Sequence, residues 1–225
     1  MKNILVPCDF SRPAINAFRF ALQLAAQSRA TVHLLHATEL PVVMDPIIMT
    51  PIVFEGPYME ALKIDSIKQF DRLKQDYLTE TKGIQIISSL DFGSIANTIL
   101  NYVSTASIDL IVMGSHGVSG LREIMMGSNA EKIVRRSSVP VLVIKHHFKG
   151  VIKDIVFPNL FGKENQEGLV RKVKEVQSFF QAKLHLLHVN TPSNFTADEV
   201  MFSRMKDFVS HFSLTNYTMN VYNKL

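Results

Sequence analysis

Residues 109–145, DLIVMGSHGVSGLREIMMGSNAEKIVRRSSVPVLVIK, decide the fold of this chain, because a strand, a glycine-containing loop, a helix start and a second strand follow without a gap. Leu110–Met113 is a short run of apolar, mostly branched residues, which is typical of a strand buried on both faces of a parallel sheet. Val139–Ile144 is a second run of this kind, with Pro140 near its start, where a missing N–H does least harm. The stretch therefore predicts a β-α-β step of a parallel α/β sheet.

The loop between these two strands combines glycines with a helix start. The glycines are Gly114, Gly117, Gly120 and Gly127. Because glycine carries no side chain, an anion can approach its backbone N–H group closely. Ser128 and Glu131 fit a capping box, which predicts a helix that begins near Asn129, with its free N–H groups and positive dipole end towards the loop. This pattern is typical of a phosphate site, and a plain turn between strand and helix is the alternative.

The strand, the GSHGVSG segment at 114–120 and the GSNAEKIVRRSSVPVLVIK segment at 127–145 together resemble the ATP-binding branch of the universal stress protein family. In that family the glycines and the serine after the last one hold the ribose and phosphates of the nucleotide. The resemblance implies a nucleotide site whose candidate residues here are Met113, Gly114, His116, Gly117, Gly127, Ser128 and Asn129. Val118 and Asn129 depart from the residues common in the family, but neither change removes a backbone donor.

The resemblance also implies a fold of the adenine nucleotide α-hydrolase type and ATP, ADP or AMP as the ligand. Mg²⁺ or Mn²⁺ would be carried by the phosphates, because the sequence has no clustered carboxylates that could hold an ion independently. The fifth strand, Val139–Ile144, is expected at the sheet edge and is too apolar to face water. In the family this strand pairs with its counterpart in a second unit, which implies a homodimer.

The N-terminal segment NILVPC, residues 3–8, predicts a buried first strand, and Asp9 follows at its carboxyl end. Ligands of open parallel sheets bind beyond the carboxyl ends of the strands, where a carboxylate can accept from a ribose hydroxyl or a base amine. A turn residue or helix cap is the alternative for Asp9. The segment PCDFS resembles the first loop of the family, which implies nucleoside contacts for Asp9 and Pro7. Cys8 has no basic neighbour or CxxC partner and is expected to be a buried filler.

Ser11 is expected to cap the first helix, and residues 31–37 to form the second strand. The HLLH segment of this strand contains His33 and His36, which could suggest a metal site. On a strand, however, residues three apart point to opposite faces and cannot share one ion. At the strand end, the resemblance implies that the backbone of Ala37 pairs with the adenine edge.

The remaining elements complete an alternation of strands and helices. We predict an amphipathic helix within residues 58–81, a third strand over 84–89 and a helix capped by Ser94. Right-handed crossovers then favour a doubly wound, five-stranded parallel sheet of order 3-2-1-4-5. Its switch point lies between strands 1 and 4, which would bring Asp9 and Gly114 together.

Residues 38–57 are apolar but irregular, and four prolines together with Asp45 and Glu55 exclude a transmembrane helix. The favoured interpretation is a long crossover loop packed on its own domain. A flap over the nucleotide or a Met-rich surface for a partner is the alternative.

After residue 149 the pattern starts again. Ile155 lies 151 positions after Ile4, and His185 lies 152 positions after His33, in matching segments. A repeat of this length predicts a nucleotide-binding domain at 1–148 and a partial second copy at 149–225, as in tandem members of the family. The copy has Leu160 in place of Asp9 and contains no glycine loop and no fourth or fifth strand.

The composition limits the classes of function. The chain has 225 residues, 47% of them hydrophobic, and a net charge of +4 without a run of basic residues along one face. Binding to nucleic acid or membranes is therefore not indicated. A single cysteine excludes an internal disulfide, and no leader precedes the first strand, which favours a cytoplasmic protein.

Three classes of function remain open. The first is a nucleotide-binding stress or signalling module that acts through partners. The second is a slow ATPase, although the sequence has neither a Walker GxxxxGK[ST] segment nor an ordered Ser/His/Asp set, so no catalytic residue is assigned. The third is an interaction protein with a vestigial site, which the intact glycine motif disfavours.

Overall fold

The computed structural model describes residues 1–39, 42–44, 51–53, 56–115, 127–146, 148, 150–162, 164–193 and 195–223, with the backbone alone at 42–44 and 51–53. The chain forms two compact units, unit 1 over Met1–Lys149 and unit 2 over Gly150–Leu225. No helix in these ranges is long and apolar enough to cross a membrane.

Unit 1 is a doubly wound parallel sheet with helices on its faces. Its strands are β1 Asn3–Pro7, β2 Thr31–Thr38, β3 Val42–Met44, β4 Pro51–Val53, β5 Ile86–Phe92, β6 Leu110–Gly114 and β7 Val141–Ile144. Its helices are α1 Arg12–Ser28, α2 Pro57–Asp76, α3 Leu78–Thr81, α4 Ile95–Thr105 and α5 Ser128–Arg136. The main sheet has the order β5-β2-β1-β6-β7 with every pair parallel, so the predicted order 3-2-1-4-5 is confirmed.

Unit 2 repeats the first half of this arrangement. Its elements are β8 Asp154–Pro158, α6 Glu167–Phe180, β9 Lys183–Asn190, α7 Asp198–Phe212 and β10 Tyr217–Asn223. The three strands form a parallel sheet of order β10-β9-β8. The loop after the first strand is also similar in the two units. Phe10 and Phe161 have positive φ angles of 60° and 51°. Phe10 packs edge-on against Phe70 of α2, and Phe161 packs edge-on against Phe208 of α7, each with a centroid distance of 5.2 Å.

The central position of β1 follows from its residues. Ile4, Leu5 and Val6 are fully buried, and β2 and β6 flank the strand. Helix α1 packs closely on the sheet because its inward face carries small residues: Ala14, Ala17, Ala21 and Ala25. Ser11 caps this helix as predicted, since its hydroxyl accepts from the Ala14 N–H at 3.4 Å.

Four predicted elements differ from the structure. The single helix expected within 58–81 is interrupted at Tyr77. Among its apolar residues Phe70 and Leu73 are buried, whereas Ile64 and Ile67 are 46% and 58% exposed. The third strand runs over Ile86–Phe92 rather than 84–89, because it pairs with β2 as far as Thr38.

The fifth strand begins at Val141 and not at Val139, because the Val139 N–H and C=O both bond the Ser137 hydroxyl in a local turn. Within 38–57, expected to be an irregular loop, β3 and β4 form an antiparallel pair that begins its second strand with Pro51, a position where proline is tolerated. The residues between these two strands lie outside the described ranges.

A polar cluster lies between β2, β5 and α4. The Nδ1 atom of His33 lies 3.1 Å from the Tyr102 hydroxyl, which lies 3.3 Å from the Ser89 hydroxyl. His33 is only 7% exposed, and this burial lowers its pKa because the charged form loses water. The folded protein therefore favours neutral His33.

We expect stability to fall as the pH drops below about 6.5, because the unfolded chain then binds a proton that folded His33 resists. Above that pH the protein has its full stability with respect to His33. Between about pH 6.5 and the lowered pKa of folded His33, the free energy of unfolding falls by up to about 1.4 kcal/mol per pH unit. Urea denaturation at several pH values, compared with His33→Asn, measures the effect. His33→Asn has no imidazole ring to titrate, so its free energy of unfolding should fall less than that of wild type as the pH drops. An equal fall in both proteins would contradict the expectation.

Candidate functional site

A cleft of about 480 Å³ opens at the carboxyl edge of the sheet in unit 1, next to β1, β2 and β6. Its size is typical of a small-molecule site. It is lined by eight of the ten predicted site residues: Pro7, Asp9, Ala37, Met113, Gly114, Gly127, Ser128 and Asn129. The other two, His116 and Gly117, lie outside the described residues. The cleft lies at the switch point, where open α/β sheets bind ligands.

One wall of the cleft is the open backbone edge of β2. The Cys8 N–H donates to the Leu35 carbonyl at 2.8 Å, and the Gly93 N–H donates to the Thr38 carbonyl at 3.0 Å. Backbone groups along a strand point alternately to its two neighbours, so the N–H and C=O of Ala37 point to the β1 side. Because β1 ends at Pro7, neither group has a hydrogen-bond partner in the part of the chain that the structure describes.

Asp9 has a structural role at the start of α1 and also lines the cleft. One of its carboxylate oxygens accepts from the Ser11 N–H at 3.0 Å and from the Ser11 hydroxyl, which fixes the start of α1. The other oxygen accepts no hydrogen bond from the described residues, and Asp9 lines the cleft. A local structural role is thus observed for Asp9, and its contact with a nucleoside stays a prediction.

The N-terminus of α5 reaches the cleft without a side-chain cap. The predicted capping box is wrong, because the helix begins one residue early and places Gly127, rather than Ser128, at the cap position. Glu131 instead pairs with Arg135 at 2.9 Å. The first intrahelical bond runs from the Glu131 N–H to the Gly127 carbonyl, so the N–H groups of residues 128–130 are free of helical partners. Ser94, likewise predicted as a cap, makes no side-chain cap bond to α4.

Gly114 has a structural reason to be glycine. A Cβ atom there would lie 2.7 Å from the Cβ and 2.8 Å from the carbonyl carbon of Pro13 in the first turn of α1. Real atoms do not approach so closely, so the glycine lets α1 pack against the end of β6. The phosphate contact expected for Gly114 stays a prediction.

Comparison with known proteins identifies the family of the chain. A model of the universal stress protein family matches residues 1–145, which include every part of the cleft. The chain belongs to the universal stress protein family. Universal stress protein YxiE of Bacillus subtilis is 31% identical over 146 residues, which is 63% of this chain and 97% of that protein.

Solved structures extend the comparison to the fold. Universal stress protein UspA from Lactobacillus plantarum has 25% identity and a TM-score of 0.53, covering 64% of this chain and 97% of its own. A universal stress protein from Archaeoglobus fulgidus covers 99% of this chain and 79% of its own with a TM-score of 0.68. Because its sequence is only 18% identical, the similarity to the Archaeoglobus fulgidus protein concerns the fold alone. A universal stress protein in complex with cAMP matches 64% of this chain at 21% identity, with a TM-score of 0.45.

In this family member the cleft also has an apolar side that sequence reasoning missed. It is formed by Ile95 and Ile99 of α4 and by Ile133 of α5, which belong with Leu35 to one core cluster. The spacing of Ile95 and Ile99 is typical of an inward helix face, and both Ile99 and Ile133 are buried. What the spacing could not show is that this face also borders an opening. A flat apolar group would fit against it.

Cys8 and the histidines of the HLLH segment have structural contacts. Burial raises the pKa of the Cys8 thiol to about 12, so the thiol stays protonated and is a poor nucleophile. His33 contacts Tyr102, whereas His36 Nδ1 lies 2.7 Å from the Cys8 carbonyl oxygen. Among the described residues, no group of three or more His, Cys, Asp or Glu side chains could hold a metal ion.

Proposed function

We propose that this universal stress protein binds an adenine nucleotide in the cleft of unit 1, and that the bound nucleotide changes the surface offered to partners in a stress response. One observation carries the proposal. The same cleft contains an open backbone edge at Ala37 and the uncapped N-terminus of α5, and these suit the two ends of a nucleotide.

The Ala37 edge has the hydrogen-bonding pattern of an adenine receptor. Adenine offers a ring nitrogen that accepts and an amino group that donates, which match a backbone N–H and C=O. Guanine presents the opposite pattern at these positions, an oxygen that accepts and a ring N–H that donates. The apolar side formed by Ile95, Ile99 and Ile133 supports a flat base. We therefore favour ATP, ADP or AMP over the guanine nucleotides.

The phosphate end would lie at α5. The free N–H groups of residues 128–130 and the helix dipole favour an anion, and Gly127 at the cap position leaves room for it. Asp9, at the end of β1, is placed to accept from a ribose hydroxyl. Mg²⁺ or Mn²⁺ would enter with the phosphates, because the described part of the cleft provides no ligand cluster of its own.

We further propose that the chain is a tandem-type member in which residues 149–225 are a partial second unit that serves as scaffold or partner surface. The parallel order of β10-β9-β8 and the matching phenylalanine pairs support this reading. Slow ATP hydrolysis is the alternative activity, and no contact in the described part of the cleft favours it.

Isothermal titration calorimetry with ATP, GTP and tripolyphosphate tests the nucleotide proposal. ATP should bind about 5- to 150-fold more tightly than GTP, since a mismatched base leaves the Ala37 groups unpaired at a cost of about 1–3 kcal/mol. Tripolyphosphate should bind weakly, because it can contact the N-terminus of α5 but has no base to pair with the Ala37 edge. Equal affinity for ATP and GTP, or no binding of ATP, would contradict the proposal.

The assembly prediction concerns β7, the last strand of the sheet. The Ile111 N–H donates to the Pro140 carbonyl and the Ser115 N–H to the Ile144 carbonyl, so the backbone of Val143 points away from β6. We expect a homodimer through this edge. Val143→Pro removes an outward N–H and should yield a monomer by light scattering, whereas Val143→Thr should remain dimeric. A monomeric wild-type protein at high concentration would contradict the expectation.

A further inference from the structure

The open state of the Ala37 edge requires an explanation, because a regular sheet would close it. After the bond from the Cys8 N–H to the Leu35 carbonyl, the next bond of the parallel ladder would run from the Ala37 N–H to the Cys8 carbonyl. That bond is not made. The Cys8 carbonyl instead has His36 Nδ1 at 2.7 Å. Because a carbonyl oxygen can only accept, Nδ1 carries the proton and donates it to Cys8.

The His36 ring is held in this position by aromatic contacts. Its centroid lies 5.0 Å from that of Phe10, which packs edge-on against Phe70 at 5.2 Å. Phe10 adopts a φ of 60°, which is uncommon for a bulky residue and turns the loop after β1 towards the ring. The hydrogen bond to Cys8 therefore belongs to a packed cluster.

Unit 2 contains the same arrangement with different neighbours. The Asn159 N–H donates to the Leu187 carbonyl at 3.0 Å, and His188 Nδ1 lies 3.2 Å from the Asn159 carbonyl. The next ladder bond, from Val189, is again not made within the described residues. Cys8 is replaced by Asn159 and Ala37 by Val189, while the histidine lies in the same place, and its Nε2 atom additionally lies 3.2 Å from Asn190 Oδ1. A histidine next to the loop carbonyl therefore accompanies the open edge in both units.

We propose that His36 is a positioning residue: by holding the Cys8 carbonyl at its ring and away from Ala37, it keeps the Ala37 N–H free to bind the edge of the base. The inference rests on the proposed function of the cleft. Without the imidazole donor, the Cys8 carbonyl and the Ala37 N–H would both be unpaired in a partly buried place, which favours their mutual hydrogen bond. The ladder would then extend by one bond and close the edge.

Two variants distinguish the effect of the Nδ1 hydrogen-bond donor from the effect of the size of the imidazole ring. His36→Leu removes the donor, whereas His36→Asn keeps a nitrogen donor at the place of Nδ1. In ligand-free protein, amide hydrogen exchange by NMR should show Ala37 at least about ten-fold more protected in His36→Leu than in wild type, and unchanged in His36→Asn. ATP affinity should fall by about ten-fold in His36→Leu, as expected for one lost hydrogen bond, and tripolyphosphate affinity should stay the same.

His188→Leu is the matched control in unit 2. It should protect the Val189 amide and leave ATP affinity unchanged. If ATP affinity and tripolyphosphate affinity fall together in His36→Leu, the residue acts on the whole cleft and the positioning role is overturned. Should His36→Leu fail to fold, the Ala37 amide of ligand-free wild type is the test, and it must exchange faster than that of Leu35. An Ala37 amide as protected as Leu35 would overturn the inference.

The exchange experiment does not depend on ATP binding. If wild type binds no ATP but Ala37 behaves as described, the proposed function fails and the effect of His36 on the backbone stands. If wild type binds ATP and the Ala37 amide is equally protected in wild type and His36→Leu, the proposed function stands and the role of His36 fails. The two proposals therefore fail separately.

Discussion

Gly127→Val is expected to reduce ATP affinity by more than about 100-fold without unfolding the protein. Gly127 lines the cleft at the cap position of α5 and donates its N–H to the Ser115 carbonyl at 2.8 Å. A branched side chain there would occupy space next to the free N–H groups of the helix. Loss of two hydrogen bonds to a charged phosphate, each worth about 1.5–3 kcal/mol, accounts for the size of the effect.

The backbone conformation of Gly127 is compatible with valine, so a change in ATP affinity can be assigned to the new side chain. The φ of −59° and ψ of 146° at Gly127 are open to any residue, so valine should fit without backbone strain. Gly162→Val in unit 2 is a suitable control, since no atom lies within 4 Å of an added Cβ there. Calorimetry on both variants, with circular dichroism to confirm folding, measures the effect. Unchanged ATP affinity in folded Gly127→Val would show that the phosphate end has been placed wrongly.

Gly114→Ala is expected to destabilise the protein by about 1–3 kcal/mol, the usual cost of forcing an extra carbon into a packed site. The new methyl group would meet the backbone of Pro13, which cannot move without shifting the start of α1. Because Asp9 and Ser11 anchor the same turn, ATP affinity should fall as well.

Urea denaturation measures this loss as a lower midpoint at an unchanged slope. Gly162→Ala serves as the control and should change stability by less than about 0.5 kcal/mol. A Gly114→Ala protein as stable as wild type would mean that α1 approaches β6 less closely than the structure shows.

Much of the architecture could be predicted because it follows from strong periodic signals. The branched apolar runs at β1 and β6 and the alternation of strands with helices are enough to derive the sheet order. That order in turn places Asp9 and Gly114 at one cleft, as observed. The repeat of the HLLH segment likewise predicted the second parallel sheet.

Features that depend on a single hydrogen bond could not be predicted in the same way. Ser128 and Glu131 satisfy the capping-box spacing, but the helix begins one residue earlier and Glu131 turns to Arg135. A glycine required for helix packing, such as Gly114, looks the same in sequence as one required for a phosphate. The open Ala37 edge depends on the alternation of backbone groups past the end of β1 and on the His36 donor, which only the structure shows.

We expect the chain to contain one nucleotide site, formed by the cleft of unit 1. In unit 2, Leu160 replaces Asp9 and is 63% exposed, and a hydrocarbon side chain cannot accept from a ribose hydroxyl. The described sheet of unit 2 has three strands, none of which corresponds to β6. A nucleotide there would leave charged oxygens without donors, at a cost of several kcal/mol.

Native mass spectrometry of the protein with excess ATP measures the number of bound nucleotides directly. We expect one nucleotide per chain at saturation in wild type and none in Gly127→Val at the same ATP concentration. Two nucleotides per chain, or none in wild type, would contradict this expectation.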